Sequence, residues 1–480
     1  MNDLYDTLEE EERDEKIALL FKSNKENLVA VNTAVGITNR INMPSIVQQG
    51  GTGGPCLCSN TVDQIGKKIR DRGETAYLYK NTVRVLPLAM VDDINAISKC
   101  GMDSINLNTY INTQIELKKL RFHVPDKSGK TKCHKMHIGK NKQHCPELKV
   151  HGTTMENVTE DTYLGDIISC DGKNTKNVEK RVSKGIGIIT QIMNLLEILS
   201  FGPFYTEIAL LLRESVFING ILYNAEVWYG LSKTDIKKLE DLDRHLLRRI
   251  LKAPISTPKE ALYLELGIIP IEIIIKARRI NYFYYLLNRD KNEMIKKFFM
   301  TQWINPTRGD WTETLKQDLL DFGMPEDFEY YKSKSKFIIK NEVKRNSKEY
   351  ALEILNKQKK SHKKMNNLEY KELKTQGYFF INGLRIEEIQ NVFKFRTRMA
   401  KIGGNYRGKE GVSKCPLCDE HLDVQEMLTS CETLRNTLEI DVARDISDIY
   451  SEEVTLESAR MVSKLQEIRT KLLEAKNLQI

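Results

Sequence analysis

The sequence predicts an α+β protein, with strands confined to about the first 170 residues and helices filling the rest. Three observations carry that division. Short β-forming runs bounded by glycine and proline, such as Val83–Ile97 and Thr162–Ile168, all lie before residue 170. From residue 175 the apolar residues fall into helical spacing. A small cysteine-bearing segment, Cys415-Pro416-Leu417-Cys418, interrupts the helices near the end.

The elements follow in order. Residues 1–30 bring the acidic run Glu9–Glu12 and the apolar group Ile17–Phe21, which reads as a helix. Residues 44–60 are rich in glycine and proline, and 61–72 look helical. Val83–Ile97 is β-rich with a polar pair in its middle; a helix is expected over about Leu107–Leu120, and Lys132–Gly139 and Thr162–Ile168 read as short strands. Further on, Ser232-x-x-Asp235 forms a capping box ahead of Ile236, Leu239, Leu242, Leu246, Leu247, Ile250 and Leu251, and that helix stops before Pro254. Thr257 is placed as the next N-cap with Pro258 at the first helical position and Glu260 completing a second capping box, Gly267 as the stop, and Pro270 as the following start. Residues 332–400 form a second helical zone, Lys-rich at first.

At 480 residues the chain is expected to make about three folding units of roughly 150 residues. With 40% hydrophobic and 29% charged residues it has a globular composition. The formal net charge of +8 is unevenly spread. Residues 1–50 hold five Lys/Arg against nine Asp/Glu, whereas residues 331–374 hold fourteen Lys/Arg against five Glu, a net of +9. That zone can neutralise phosphates, or it can be a solvated helix face. Nine scattered cysteines do not form a secreted disulfide framework and suit a reducing compartment, nucleus or cytoplasm. The acidic N-terminal stretch has no signal-peptide pattern, and the apolar run Ile208–Tyr223 carries Arg213 and Glu214, so neither secretion nor membrane insertion is expected.

Chemistry centres on Leu86-Pro87-Leu88-Ala89-Met90-Val91-Asp92-Asp93-Ile94. Adjacent carboxylates between β-formers belong at a tight turn, and two acids facing one cleft call for a cation; oxygen ligands favour Mg²⁺. Alone, an Asp-Asp pair is ordinarily just a turn. Upstream runs Val47-Gln48-Gln49-Gly50-Gly51-Thr52-Gly53-Gly54-Pro55, a glycine-rich stretch that lets backbone approach a phosphate. Downstream come Lys132-Cys133-His134-Lys135-Met136-His137-Ile138-Gly139 and Tyr163-Leu164-Gly165.

In order and spacing these four segments resemble the palm of reverse transcriptases from non-LTR (LINE-like) retrotransposons, over most of residues 1–435. Gln49-Gly50-x-x-x-Gly54-Pro55 is similar to the second palm motif, Q-G-x-x-x-S-P, with Gly for Ser, where template and incoming nucleotide are sensed. Val91-Asp92-Asp93 resembles the metal-binding third motif, Lys132 the fourth-motif lysine that protonates departing pyrophosphate, and Tyr163-Leu164-Gly165 the primer grip. The resemblance implies RNA-directed DNA synthesis with Mg²⁺ and deoxynucleotides on an RNA template and DNA primer. It also implies a partial palm over 1–170, a helical thumb-like region over 171–310, a basic helical region over 311–404, a zinc-knuckle-like module over 405–435 and a C-terminal helix over 436–480.

The family's first motif, an apolar strand bearing a metal-bridging Asp, has no counterpart here: Asp3 and Asp6 belong to the following helix. The chain is therefore expected to be a truncated, catalytically incomplete copy. The alternatives are a non-catalytic nucleic-acid-binding remnant and a pseudogene product.

Cys415 and Cys418 make a half-site for Zn²⁺, with Cys431 beyond. By resemblance a histidine is expected four residues before the last cysteine, but Met427 stands there, and thioether is a poor zinc ligand. His421 is the substitute, giving Cys415, Cys418, His421 and Cys431 as the zinc set; reduced surface thiols are the other reading. Cys133, His134, His137, His144 and Cys145 are not expected to form a metal site, because alternate residues of a strand face opposite ways. His245 is expected at the surface and Trp228 in the core.

Overall fold

A computed structural model of the chain describes residues 28–30, 32–33, 36–42, 63, 65–69, 77–90, 93–99, 101–117, 122, 133–138, 146–198, 204–362, 365, 367–406, 414–439 and 447–476. The expected helix within residues 1–30, the glycine-rich stretch 44–60, and His144 with Cys145 lie outside the described residues. Helix and strand are both present, helix predominating. The chain divides into two compact units, Met1–Gly172 with Asp290–Asn305, and Lys173–Arg289 with Pro306–Ile480. Among the described residues no helix is long and apolar enough to cross a membrane.

The first unit is built from tight turns. Strands β1 (Leu28–Val29) and β4 (Ile41–Asn42) pair antiparallel around β2 (Asn32–Thr33) and β3 (Gly36–Ile37). Each is two residues long, too short for the alternation that marks a strand in sequence. The β-rich stretch Val83–Ile97, expected to turn at its polar pair, holds the second strand of one hairpin and both strands of another. β5 (Tyr77–Tyr79) turns through Lys80 and Asn81, both at positive φ, into β6 (Val83–Val85), whose valines are buried. β7 (Leu88–Met90) then pairs antiparallel with β8 (Asp93–Asn95), Met90 opposite Asp93.

Helix α1 (Met102–Leu117) starts five residues before the first residue expected, Leu107; the apolar residues of its first turn, Met102 and Ile105, are exposed, and the buried stripe begins only at Leu107. Its Leu107, Ile111 and Ile115 cluster with Ile65 and Ile69, and Ile94 packs against them. Among the described residues of the run Lys132–Gly139, the strand is β9 (His134–Lys135); it pairs parallel with β12 (Glu156–Asn157). β10 (Lys149–Val150) and β11 (Thr153–Thr154) close through His151 and Gly152.

Thr162–Ile168, expected as one strand, is a hairpin of β13 (Glu160–Tyr163) and β14 (Asp166–Ser169). Leu164 at φ 48° and Gly165 at φ 87° provide the two left-handed residues that a two-residue turn matching strand twist requires. Helix Met294–Ile304, expected with the thumb-like region, belongs to this unit instead: Phe298 stacks on Tyr79 with ring centroids 4.0 Å apart. Among the described residues every ladder is two strands wide, so no larger palm sheet is formed by them.

The second unit is helical. α2 (Thr175–Ile198) packs against α3 (Lys233–Leu251), which opens on the expected capping box: Ser232 Oγ accepts from Asp235 N at 3.0 Å and Asp235 accepts from Ser232 N. α3 ends at Leu251, where Lys252 turns left-handed. α4 (Lys259–Leu266) departs from expectation by one residue. Pro258 takes the cap position, and the Thr257 hydroxyl is buried without a hydrogen-bond partner, so Thr257 does not cap. Gly267 ends α4 at φ 63° as expected, and a Cβ there would lie 2.0 Å from Lys374 carbonyl carbon.

α5 (Ile271–Leu287) crosses the middle of this unit, packing on α6 (Trp311–Asp321) and α7 (Lys336–Lys359). α8 (Ile386–Arg396), α9 (Glu432–Leu438) and α10 (Leu456–Ala475) finish it. Trp228 is core and His245 exposed, as expected.

Buried arginine–carboxylate pairs join sequence-distant parts of this unit. Arg213 grips Asp243 with two bonds of 2.8 and 2.6 Å, and the Tyr263 hydroxyl donates to the same carboxylate. Arg279 pairs with Asp318, and Arg396 with Glu265.

Candidate functional site

The first candidate site is a pair of hairpins in the first unit. The register Met90 opposite Asp93 leaves two residues to join β7 and β8, and sets Asp93 as an exposed residue at the start of β8. Its carboxylate is the hard oxygen donor that Mg²⁺ takes. Asp92, Lys132, Gln49, Gly50, Gly54 and Pro55 lie outside the described residues. Tyr163 closes β13 opposite Asp166, and its hydroxyl donates to the Leu88 carbonyl at 3.5 Å, the long limit of a hydrogen bond. Burial pushes the Tyr163 hydroxyl pKa up, and the neighbouring Asp93 charge pushes it further. The tip that carries Leu164 and Gly165 thus sits beside the strand pair that carries Asp93. Leu164 is exposed.

Cys133, His134 and His137 do not gather as a metal cluster among the described residues. His134 Nδ1 lies 2.9 Å from Asp161 Oδ2 instead, and burial pushes the Cys133 thiol up.

The second candidate site lies in the second unit. After Cys415 the chain turns through Pro416-Leu417-Cys418, with Asp419 at φ 57° donating its N–H to the Cys415 carbonyl at 2.8 Å. It then runs back, so that Cys415 N donates to the His421 carbonyl at 2.6 Å and Lys414 bridges Leu422. Cys431 returns at the cap position of α9. The sulfurs of Cys415, Cys418 and Cys431 all lie within 4.8 Å of one another, and Cys415 and Cys431 are 3.9 Å apart. Sulfurs on a tetrahedral zinc, with bonds of about 2.3 Å, stand about 3.8 Å apart, so the donor set fits the ion.

Cys415 and Cys431 share one S–H···S contact, which holds the Cys415 thiol below the ordinary thiol range and pushes Cys431 up. The ring of His421 is not part of this cluster; its main chain, not its imidazole, meets Cys415. Met427 is exposed. Two residues that pattern reading missed stand beside the sulfurs. Arg469 Nη1 lies 3.8 Å from Cys415 Sγ, and Asp423 binds the other arm of the same guanidinium. The one sequence signal was an arginine within the apolar stripe Val462, Leu465, Leu473 of a helix.

The basic zone adds a surface. On α7, Ile339, Val343, Ala351 and Leu355 are buried, while Lys336, Lys340, Lys344 and Lys348 are exposed at four-residue spacing. None of those four lysines has an ion-pair partner among the described residues. Arg396, at the end of the zone, is buried against Glu265 and unavailable to phosphate.

No protein-family model matches the chain, and no curated protein matches it.

Proposed function

We propose that the chain carries the later palm motifs of a reverse transcriptase of the non-LTR retrotransposon kind, an RNA-directed DNA polymerase by class, and that these 480 residues alone do not extend a primer. The observation that carries the reading is the order Gln49–Pro55, Asp92-Asp93, Lys132, Tyr163–Gly165 along the chain. It is supported by the hairpin register that puts Asp93 beside a turn, and by the approach of Tyr163 to Leu88. In this reading Asp92 and Asp93 hold Mg²⁺, which supplies charge stabilisation for nucleotide addition. In a complete site Gln49, Gly50, Gly54 and Pro55 would line template and nucleotide and Lys132 would donate a proton to pyrophosphate, while Tyr163–Gly165 hold the primer end. Two carboxylates stand where two-metal transfer uses three, so the in-line geometry is not held. The cysteine cluster takes Zn²⁺ as a structural ion.

The test gives purified chain a primed RNA template whose primer ends in a photoreactive nucleotide, with Mg²⁺ and deoxynucleotides. Cross-links within residues 77–95 or 160–169, without extension, are expected. Extension above background that Asp92→Ala and Asp93→Ala abolish overturns the incomplete-site claim. Cross-links confined to the second unit overturn the polymerase reading.

The exposed lysines of α7 favour a second reading, a nucleic-acid-binding protein without catalysis. It has the same partners and no chemistry.

A further inference from the structure

We propose that Arg469 is the positioning residue of a metal–thiolate centre at Cys415, Cys418 and Cys431, and that filling this centre pins α10 to the cysteine turn. The inference rests on the zinc reading and extends it to the C-terminal helix.

The geometry begins with a charge that has no reason to be buried on packing grounds alone. Arg469 is 2% exposed, on a helix whose neighbouring inward positions are Val462, Leu465 and Leu473. A guanidinium taken out of water is tolerated only when its donors meet acceptors, preferably charged ones. One arm does: Nη2 donates to Asp423 Oδ1 at 2.7 Å, and Asp423 is itself 3% exposed. The other arm, Nη1, points at Cys415 Sγ at 3.8 Å, while Nε has no partner. A neutral thiol is a weak acceptor; a thiolate is a strong one. Three thiolates within 4.8 Å repel one another unless a cation lies between them.

A divalent ion with three thiolates carries one net negative charge, and the guanidinium lies against it. The arrangement carboxylate–guanidinium–thiolate–metal parallels the carboxylate–histidine–metal relays that fix ligand orientation.

The same bonds tie separate pieces of chain together. Asp423 Oδ2 accepts from Gly403 N at 2.7 Å, and a Cβ on Gly403 would come within 2.6 Å of that oxygen. The Asp423 carbonyl accepts from Gly404 N, and Lys476, just past α10, donates to the Leu417 carbonyl at 3.2 Å. The turn at 403–404, the cysteine loop and α10 therefore share one polar node, with the sulfurs at its edge.

The experiment uses the full chain loaded with zinc. Its readouts are zinc retention against a competing chelator, the thiolate-to-metal charge-transfer band after cobalt substitution, and hydrogen exchange over residues 456–475. In the wild type, zinc is expected to bind and its removal to raise exchange across α10. Arg469→Gln is expected to weaken zinc retention by about 10- to 100-fold and shift the cobalt band, with Arg469→Lys recovering part of the loss. Should Arg469→Gln fail to fold, Cys418→Ser replaces it, keeping Arg469 but removing one ligand; its α10 exchange is expected to match chelated wild type. A wild type that takes up no zinc or cobalt overturns the metal reading itself. Zinc bound with wild-type retention in Arg469→Gln, α10 exchange indifferent to metal in wild type, or α10 exchange in Cys418→Ser as slow as in zinc-loaded wild type, overturns this inference and leaves the metal reading standing.

Discussion

The two units handle charge in opposite ways. In the first, carboxylates stay near water: Asp93 is exposed at a hairpin, and Glu116 of α1, paired with His151, is 60% exposed. It holds an apolar cluster of Ile65, Ile69, Leu107, Ile111 and Ile115, and its strands find hydrogen bonds within two-stranded ladders. In the second, Arg213, Arg279, Arg396 and Arg469 are each at most 4% exposed, and each meets a carboxylate that is equally hidden. Those pairs join residues from 30 to 131 positions apart. A buried pair is poor evidence of a site, because its energy goes into compensating its own desolvation. An exposed carboxylate on a tight hairpin has no such structural duty. The contrast directs the search for chemistry to the first unit and for architecture to the second, with the cysteine cluster as a place where a buried arginine also meets a reactive group.

The sharpest way to break that comparison is Arg396→Met. Arg396 Nε lies 3.1 Å from Glu265 Oε2, and its Nη1 donates to the Ile449 and Ser451 carbonyls. Glu265 is fully buried and also accepts from the Tyr370 hydroxyl, whose pKa burial drives well above the ordinary value, with the Glu265 charge adding to it. Removing one partner of such a pair costs about 3–5 kcal/mol, because an unpaired charge stays behind. Urea unfolding of the full chain, followed by hydrogen exchange in α4 and α8, should show that loss. A change below about 1 kcal/mol would mean the second unit does not depend on its buried pairs.

That dependence also explains what the sequence could disclose. Signals local in sequence were legible. Ser232 and Asp235 are three residues apart and cap α3; Gly267 follows an apolar run and turns left-handed; Leu239, Leu242, Leu246 and Leu247 repeat on one face and are buried. The Cys415–Cys418 spacing announced a turn that brings sulfurs together. Signals made by distant partners were not. Nothing local to Arg396 announces its burial, because its partner Glu265 is 131 residues away. His421 looked like a ligand because spacing does not reveal which way a ring points once the chain doubles back. The hairpin at Tyr163 has a local signal too: a glycine inside a β-run, here Gly165 within Thr162–Ile168, marks a turn or bulge.

Gly165→Val sharpens the comparison from the other side, with a middle-sized effect. Gly165 sits at φ 87°, where a β-branched side chain is strained, by about 1–2 kcal/mol for left-handed backbone. If the first unit consists of locally closed ladders, the cost should stay local. Exchange should rise over residues 160–169, and Tyr163 should lose its approach to Leu88, while protection in α3 to α6 is unchanged. Weakened protection throughout the second unit would show that the two regions unfold together.

The smallest effect on stability, and the one that best separates surface charge from buried charge, belongs to the α7 lysines. Lys336, Lys340, Lys344 and Lys348 are exposed, and no ion pair holds them among the described residues. Changing all four to Gln should shift stability by less than about 0.5 kcal/mol, since exposed substitutions away from caps and cores rarely do more. Binding to single-stranded nucleic acid should respond much more. Every phosphate left without its neutralising lysine lowers the slope of log affinity against log salt by about 0.7 for single strands, so four of them lower it by roughly 3. Measuring affinity across a salt series for wild type and the fourfold variant decides it. A slope that stays the same means these lysines only solvate the helix, and leaves the first unit's hairpins as the place to look for nucleic-acid binding.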